Sequence, residues 1–161
     1  MDASHEAIAP PAGIPAALRR EPEALLLLDQ TRLPAEEHYR RCTSAEDVED
    51  AIRRMQVRGA PAIGIAAAHG LALAMQGVRT EDPQAWGATL QRHATRLAGA
   101  RPTAVNLAWA LAQQLKAIDG AGLSGAPGRT LLTDTAARLQ GEDERVCATL
   151  GAYGASVIAD G

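Results

Sequence analysis

Phenylalanine is absent from this 161-residue chain, and aromatic residues make up only 2% of it. A β-sandwich or barrel packs β-branched and aromatic side chains on its faces, so this scarcity argues against those folds. A long apolar run is missing as well. Residues 60–75 come closest, but Gly64, His69 and Gly70 interrupt them and much of the rest is alanine. That pattern argues against a membrane-spanning helix. Residues 1–15 carry acids and prolines and do not read as a secretory signal. Charge of one sign is lacking too. The chain has 16 Lys+Arg against 19 Asp+Glu, a net charge of −3. No basic field therefore exists to hold a nucleic acid. The two cysteines, Cys42 and Cys147, form no CxxC pair and read as reduced thiols of a cytoplasmic protein. No Walker A loop, GxGxxG, HExxH, GxSxG or metal-spaced His/Cys cluster is present. No metal site and no cofactor are expected. His5, His38, His69 and His93 are scattered and read as packed or surface imidazoles. His69, in a helix of small residues, is the one to watch.

What is present points to helices. Alanine makes up about a fifth of the residues. An Ala/Leu/Ile/Val core with few rings suits closely packed helices, and the expected class is mainly α (α+β). Residues 1–22, with four prolines, read as a loose arm or edge element. Residues 24–29 are short, apolar and bounded by Pro22 and Pro34, which predicts a strand. Residues 37–42 return beside it, with Leu33-Pro34 in the turn.

Thr43-Ser44-Ala45-Glu46 reads as a capping box that opens a first helix, with Val48, Ile52 and Met55 on its inner face. Pro61 starts a second helix that runs to about Gln76. A third spans residues 83–98, capped by Thr80 or Asp82, with Trp86, Leu90, Ala94 and Leu97 inward. A fourth starts at Thr103 and sets Val105, Trp109, Ala112 and Leu115 on one stripe. Residues 119–128 read as a linker, and a fifth helix covers residues 130–150. Residues 155–159 read as a strand, and Asp160-Gly161 is a hairpin signal. Ending there, the chain is expected to be the N-terminal part of a longer protein.

Two interhelical loops carry the chemistry. One is Val57-Arg58-Gly59-Ala60-Pro61, the other Gly99-Ala100-Arg101-Pro102-Thr103. Each ends one helix, presents one arginine and leads into a new helix near a proline. The first N–H groups of a helix have no internal partner, and the dipole is positive there. Gly59 lets a ligand approach the backbone, and a guanidinium adds a bidentate donor. The natural guest is a phosphate.

Met55-Gln56-Val57-Arg58-Gly59-Ala60-Pro61-Ala62-Ile63-Gly64-Ile65-Ala66-Ala67-Ala68-His69-Gly70 resembles the signature of the 5-methylthioribose-1-phosphate isomerases. Leu28-Asp29-Gln30-Thr31-Arg32-Leu33-Pro34 upstream and Arg101-Pro102-Thr103-Ala104-Val105-Asn106-Leu107-Ala108-Trp109-Ala110-Leu111 downstream fit the same family in order and spacing. The later Glu142-Asp143-Glu144 and residues 151–161 resemble it as well. The likeness covers residues 25–161. The wider superfamily includes ribose-1,5-bisphosphate isomerase and the regulatory subunits of initiation factor 2B.

The resemblance implies a helical N-terminal domain joined to a Rossmann-like domain, in a cytoplasmic homodimer acting in methionine salvage. Residues 1–23 would be a variable arm. Residues 24–122 would form a hairpin plus a helical substrate-binding domain. Residues 123–161 would be a linker, a helix and the first strand of the Rossmann-like domain. The family converts an aldose 1-phosphate into a ketose 1-phosphate without metal or nucleotide cofactor. Carried over, its substrate contacts are Arg58, Gly59, Ala60 and Arg101. Its catalytic Cys and Asp belong to motifs beyond residue 161, so no residue of this chain is assigned a catalytic role. The expected partner is a sugar phosphate, with no nucleic acid and no membrane.

Overall fold

The structure is a computed structural model that describes residues 14–80 and 82–158. It opens with three short antiparallel strands, β1 (Leu18–Glu21), β2 (Ala24–Leu28) and β3 (Tyr39–Cys42), in the order β1-β2-β3. Leu25 of β2 lies opposite Arg20 on one side and Cys42 on the other. The central strand Ala-Leu-Leu-Leu-Leu buries four of its five side chains, as a strand covered on both sides does. The expected hairpin is therefore present. The end of the expected arm supplies its edge strand, and residues 1–13 lie outside the described residues.

Five helices follow: α1 (Ala45–Arg53), α2 (Ala60–Gln76), α3 (Pro83–Ala98), α4 (Val105–Ala121) and α5 (Gly125–Ser156). The capping box of α1 uses Ser44 and Asp47, not Thr43 and Glu46. Ser44 Oγ accepts from the Asp47 N–H, and the Asp47 carboxylate accepts from the Ser44 N–H. Val48 and Ile52 are fully buried, but Met55 falls beyond the helix end with φ 57° and is exposed. Asp82, not Thr80, caps α3, whose bounds and buried residues are those expected.

α2 is the hub. Every residue from Ile63 to Ala72 is buried, which fits a helix surrounded by neighbours. α1, α3, α4 and α5 all pack on it, and β2 touches it as well. Two features set the geometry near its start. Gly64 faces the first turn of α4 so closely that a Cβ there would lie 2.6 Å from the Asn106 carbonyl oxygen. Farther along, the Gln114 amide donates to the carbonyls of Ala68 in α2 and Leu132 in α5. Contacts thus ascend together from Gly64/Asn106 to Ala68/Gln114. α2 and α4 run parallel, with their N-termini side by side. α5 runs the other way, since Thr133 lies beside Ala72 and Gln140 beside His69.

Three expectations are corrected. Of the expected α4 stripe, Val105, Trp109 and Ala112 are exposed and Leu115 alone packs against the core, which Leu107, Ala110, Leu111, Gln114 and Ile118 face. A buried glutamine among small residues hid the true stripe. The expected linker of residues 119–128 shrinks to three residues, because Gly122 in the left-handed region ends α4 and α5 starts at Gly125. The expected strand over residues 155–159 is not formed in its described part: α5 continues to Ser156, and Val157 and Ile158 follow as a turn. Ala159 and the expected turn at Asp160-Gly161 lie outside the described residues.

Candidate functional site

The loop before α2 is built from β2 outward. Asp29, which follows the central strand, is 3% exposed. Its Oδ1 accepts from the Thr31 N–H and hydroxyl, and its Oδ2 accepts from Gln56 Nε2 at 2.7 Å. Burial pushes this carboxyl up, but those three donors and the Arg32 guanidinium outweigh burial and hold it below the ordinary aspartate value. Gln56 is tied down further. Its backbone carbonyl accepts from the Gln30 N–H, and its Oε1 accepts from Arg40 at 2.6 Å. Gln30 Nε2 also donates to the Arg58 carbonyl at 3.3 Å. The Asp29-Gln30-Thr31 turn thereby holds residues 56–58 in place from below.

Arg58 itself is exposed, and its Nε donates to the Met55 carbonyl at 2.9 Å. Gly59 follows as the N-cap of α2 at φ 92°, ψ 131°, a conformation open to glycine and costly for residues with a Cβ. No side chain caps this helix, and Pro61 lies in its first turn. The remaining free first-turn amides of α2 are therefore available to a ligand.

The second loop is built in the same way. Arg101 is half-buried, its carbonyl accepts from the Ala104 N–H, and Ala104 caps α4 without a side-chain hydrogen bond. Both uncapped N-termini lie together because Gly64 admits Asn106. Their dipoles point the same way and add at one end of the helical body. The closeness of the two helix starts rests on Gly64, a contact with no local signature in the sequence, and neither Arg58 nor Arg101 lines the cleft that opens beside them.

A cleft of about 270 Å³ opens beside these first turns. Pro61, Gly64 and Ile65 of α2 line it, with Asn106, Trp109 and Ala110 of α4 and Leu139, Glu142, Asp143 and Val146 of α5. Sequence reading did not place Asn106, Trp109 or Asp143 in a site. The signal was the Val105/Trp109 stripe, apolar and helical in spacing but set off the core face. Glu142 is paired with Arg138. Asp143 is half-buried, and burial together with the Glu144 charge pushes its carboxyl above the ordinary value.

A larger groove, about 500 Å³, lies at the other end of α2, beside Gln76 and Gly77. It carries Arg41 and Arg79 but also Glu23 and Glu46, and two of these charges are already engaged, Arg41 with Glu21 and Glu46 with Arg96. The C-terminal pole of α2 also repels an anion there. Elsewhere, Cys42 is fully buried and its thiol is pushed up to about 11, so it is no nucleophile at neutral pH. His69 is buried, its Nε2 2.9 Å from Gln140 Oε1, and burial lowers its basicity. Among the described residues no cluster of three metal-ligating side chains occurs, and no helix is long and apolar enough to cross a membrane.

Comparison with known proteins identifies the family and the fold. Residues 56–161 match the Initiation factor 2 subunit family. The chain is 43% identical over 138 residues to a methylthioribose-1-phosphate isomerase of Bacillus licheniformis, a match covering 86% of this chain and 39% of that one. The structure superposes on 5-methylthioribose 1-phosphate isomerase from Pyrococcus horikoshii OT3 with a TM-score of 0.87 at 31% identity, over 92% of this chain and 42% of that one. It superposes on the delta subunit of translation initiation factor eIF-2B from A. fulgidus with a TM-score of 0.82 at 35% identity, over 90% and 42%. The chain thus spans about 40% of the length of these relatives.

Proposed function

Since the chain belongs to the Initiation factor 2 subunit family, we propose that it is the sugar-phosphate-binding part of an aldose–ketose isomerase. The reaction is conversion of 5-methylthioribose 1-phosphate to 5-methylthioribulose 1-phosphate, a step of methionine salvage, in a cytoplasmic protein that works as a homodimer. The observation that carries this is the parallel pair α2/α4, with two uncapped N-termini and the Arg58 and Arg101 loops at one end.

The chemistry divides accordingly. A sugar 1-phosphate is locked as a ring, because the phosphate occupies the anomeric oxygen. An isomerase must open the ring, retain the phosphate and move hydrogen from C2 to C1. Retaining the phosphate needs fixed positive partners that position without reacting. Arg58, Gly59, Ala60 and Arg101 supply guanidinium and amide donors for that task. Ring opening needs an acid and a base with tuned pKa values in a dry site. That task falls to a Rossmann-like domain that, in this reading, follows residue 161, with residues 24–122 as the substrate-binding unit and residues 123–161 leading onward.

A second reading is a regulatory or interaction module of the initiation-factor type. It is favoured by the A. fulgidus subunit, which matches at the higher identity of the two solved structures. Phosphate binding separates the two. In a ¹⁵N-resolved NMR titration of the chain with inorganic phosphate, the isomerase reading expects saturable shifts at the Gly59, Ala60 and Val105 amides. Their absence would leave the module reading.

A further inference from the structure

We propose that the cleft between the first turns of α2 and α4 and the flank of α5 selects the sugar end of the ligand, with Asp143 and Asn106 receiving pentose hydroxyls and Trp109 and Val146 walling an apolar 5-substituent. This inference rests on the sugar-phosphate reading above and goes beyond it to residues outside the two arginine loops.

Three observations support it. The first is position. Pro61 and Asn106 belong to the first turns of α2 and α4 and line the cleft, so a phosphate held on those amides would direct its sugar into it. The second is a pair of polar side chains left without protein partners. Among the described residues, Asp143 has no ion-pair or hydrogen-bond partner, and neither has the Asn106 carboxamide, although both are half-buried. Their polar atoms stay open to the cleft, so a ligand seated there meets a free carboxylate and a free carboxamide. A carboxylate beside an anion site does not serve the phosphate, which it repels. It serves hydroxyl donors, and a pentose offers them. The third is an apolar wall. Trp109 is 52% exposed and Val146 is 56% exposed, with Ile65 and Leu139 beneath them. The cleft, about 270 Å³, sits at the small end of ordinary ligand pockets.

The test uses the 161-residue chain and three probes: inorganic phosphate, ribose 1-phosphate and 5-methylthioribose 1-phosphate, each titrated by NMR. The unsubstituted chain is expected to bind 5-methylthioribose 1-phosphate about tenfold more tightly than phosphate. Asp143→Asn is expected to abolish that gain while phosphate affinity holds or rises, because a negative charge leaves the cleft. Trp109→Ala is expected to erase the preference for the methylthio sugar over ribose 1-phosphate and leave phosphate unchanged. The amide spectrum shows that each variant is folded, and Trp109→Leu supplies a second variant for the wall. If the variants bind all three probes as the parent does, the cleft assignment is overturned while the sugar-phosphate reading stands. If the parent binds none of them, both fall.

Discussion

Gln56 Nε2 donates to Asp29 Oδ2 at 2.7 Å, joining the residue after the central strand to the residue two places before Arg58. The contact explains why an Asp just after β2 and a Gln before Arg-Gly-Ala-Pro occur in one chain: the first immobilises the loop that carries the second. Replacing Asp29 by asparagine removes a charged acceptor from three donors. Each such bond contributes on the order of 1.5–3 kcal/mol, and the three share one carboxylate, so a loss of about 3 kcal/mol is expected in urea unfolding. The pH dependence follows from the sign of the shift. The folded carboxyl lies below its unfolded value of 3.8, so its stabilisation is full above pH 3.8 and disappears as pH falls through the folded value. The Asp29→Asn variant should lose this part of the acid slope.

The two cysteines differ in reactivity for a structural reason. Cys42 is fully buried with its thiol pushed up to about 11, whereas Cys147 lies exposed on α5. A disulfide reagent at mildly alkaline pH should label one thiol within minutes and the second only under denaturing conditions. Rapid labelling of both in the folded chain would contradict the packing of β3.

Much of this fold was legible because its boundaries are chemical. Asp82-Pro83 opens α3 with two side-chain acceptor bonds and a ring that needs no N–H, and both ends of that helix match expectation. β2 is legible because Pro22 and Pro34 isolate its leucines. The α4 face was not, since its buried stripe holds Gln114, fully enclosed, while Val105 is 78% exposed. A polar residue belongs in that core only because it bridges Ala68 and Leu132, a tertiary fact without a local signature. The expected strand failed for the converse reason: Ala-Ser-Val-Ile fits either state, and continuity with α5 decided for the helix through Ser156. Both arginine loops were visible as loops, but their common end depends on how α2 and α4 pack.

Arg58 and Arg101 should act on the phosphate and little else. Replacing either by Ala is expected to weaken binding by roughly 1.5–3 kcal/mol, the range of a charged hydrogen bond. The Arg58 side chain is exposed and has only the Met55 carbonyl as a partner among the described residues, so its loss should leave unfolding within about 0.5 kcal/mol of the parent. Equal affinity of parent and both variants for phosphate would remove these residues from the site.

The chain alone is expected not to isomerise 5-methylthioribose 1-phosphate. The cleft offers carboxylates but no matched acid–base pair, the Cys42 thiol is enclosed, and the His69 ring is held against Gln140. Incubating the chain with this substrate and following ketose formation checks the expectation. A rate of about 1 s⁻¹ or more, ordinary for enzymes, would show that the chain carries its own acid and base, with Asp143, His69 and Cys147 the first to replace.

Gly64→Ala tests the whole arrangement with one methyl group. The added Cβ would lie 2.6 Å from the Asn106 carbonyl oxygen and 3.1 Å from its carbon. Those are backbone atoms of a helix, so no rotamer change relieves the clash and α4 must move away from α2. Alanine favours a helix by roughly 1 kcal/mol over glycine, and overpacking of this kind costs about 1–3 kcal/mol, so a net loss of up to about 2 kcal/mol is expected by calorimetry. The more telling effect is on binding. The two N-termini would separate while Arg58, Gly59, Ala60 and Arg101 stay intact, and phosphate affinity should fall together with stability. A variant that keeps full phosphate affinity would show that the loops do not depend on the α2/α4 contact, and the paired N-termini would no longer be the basis of the site.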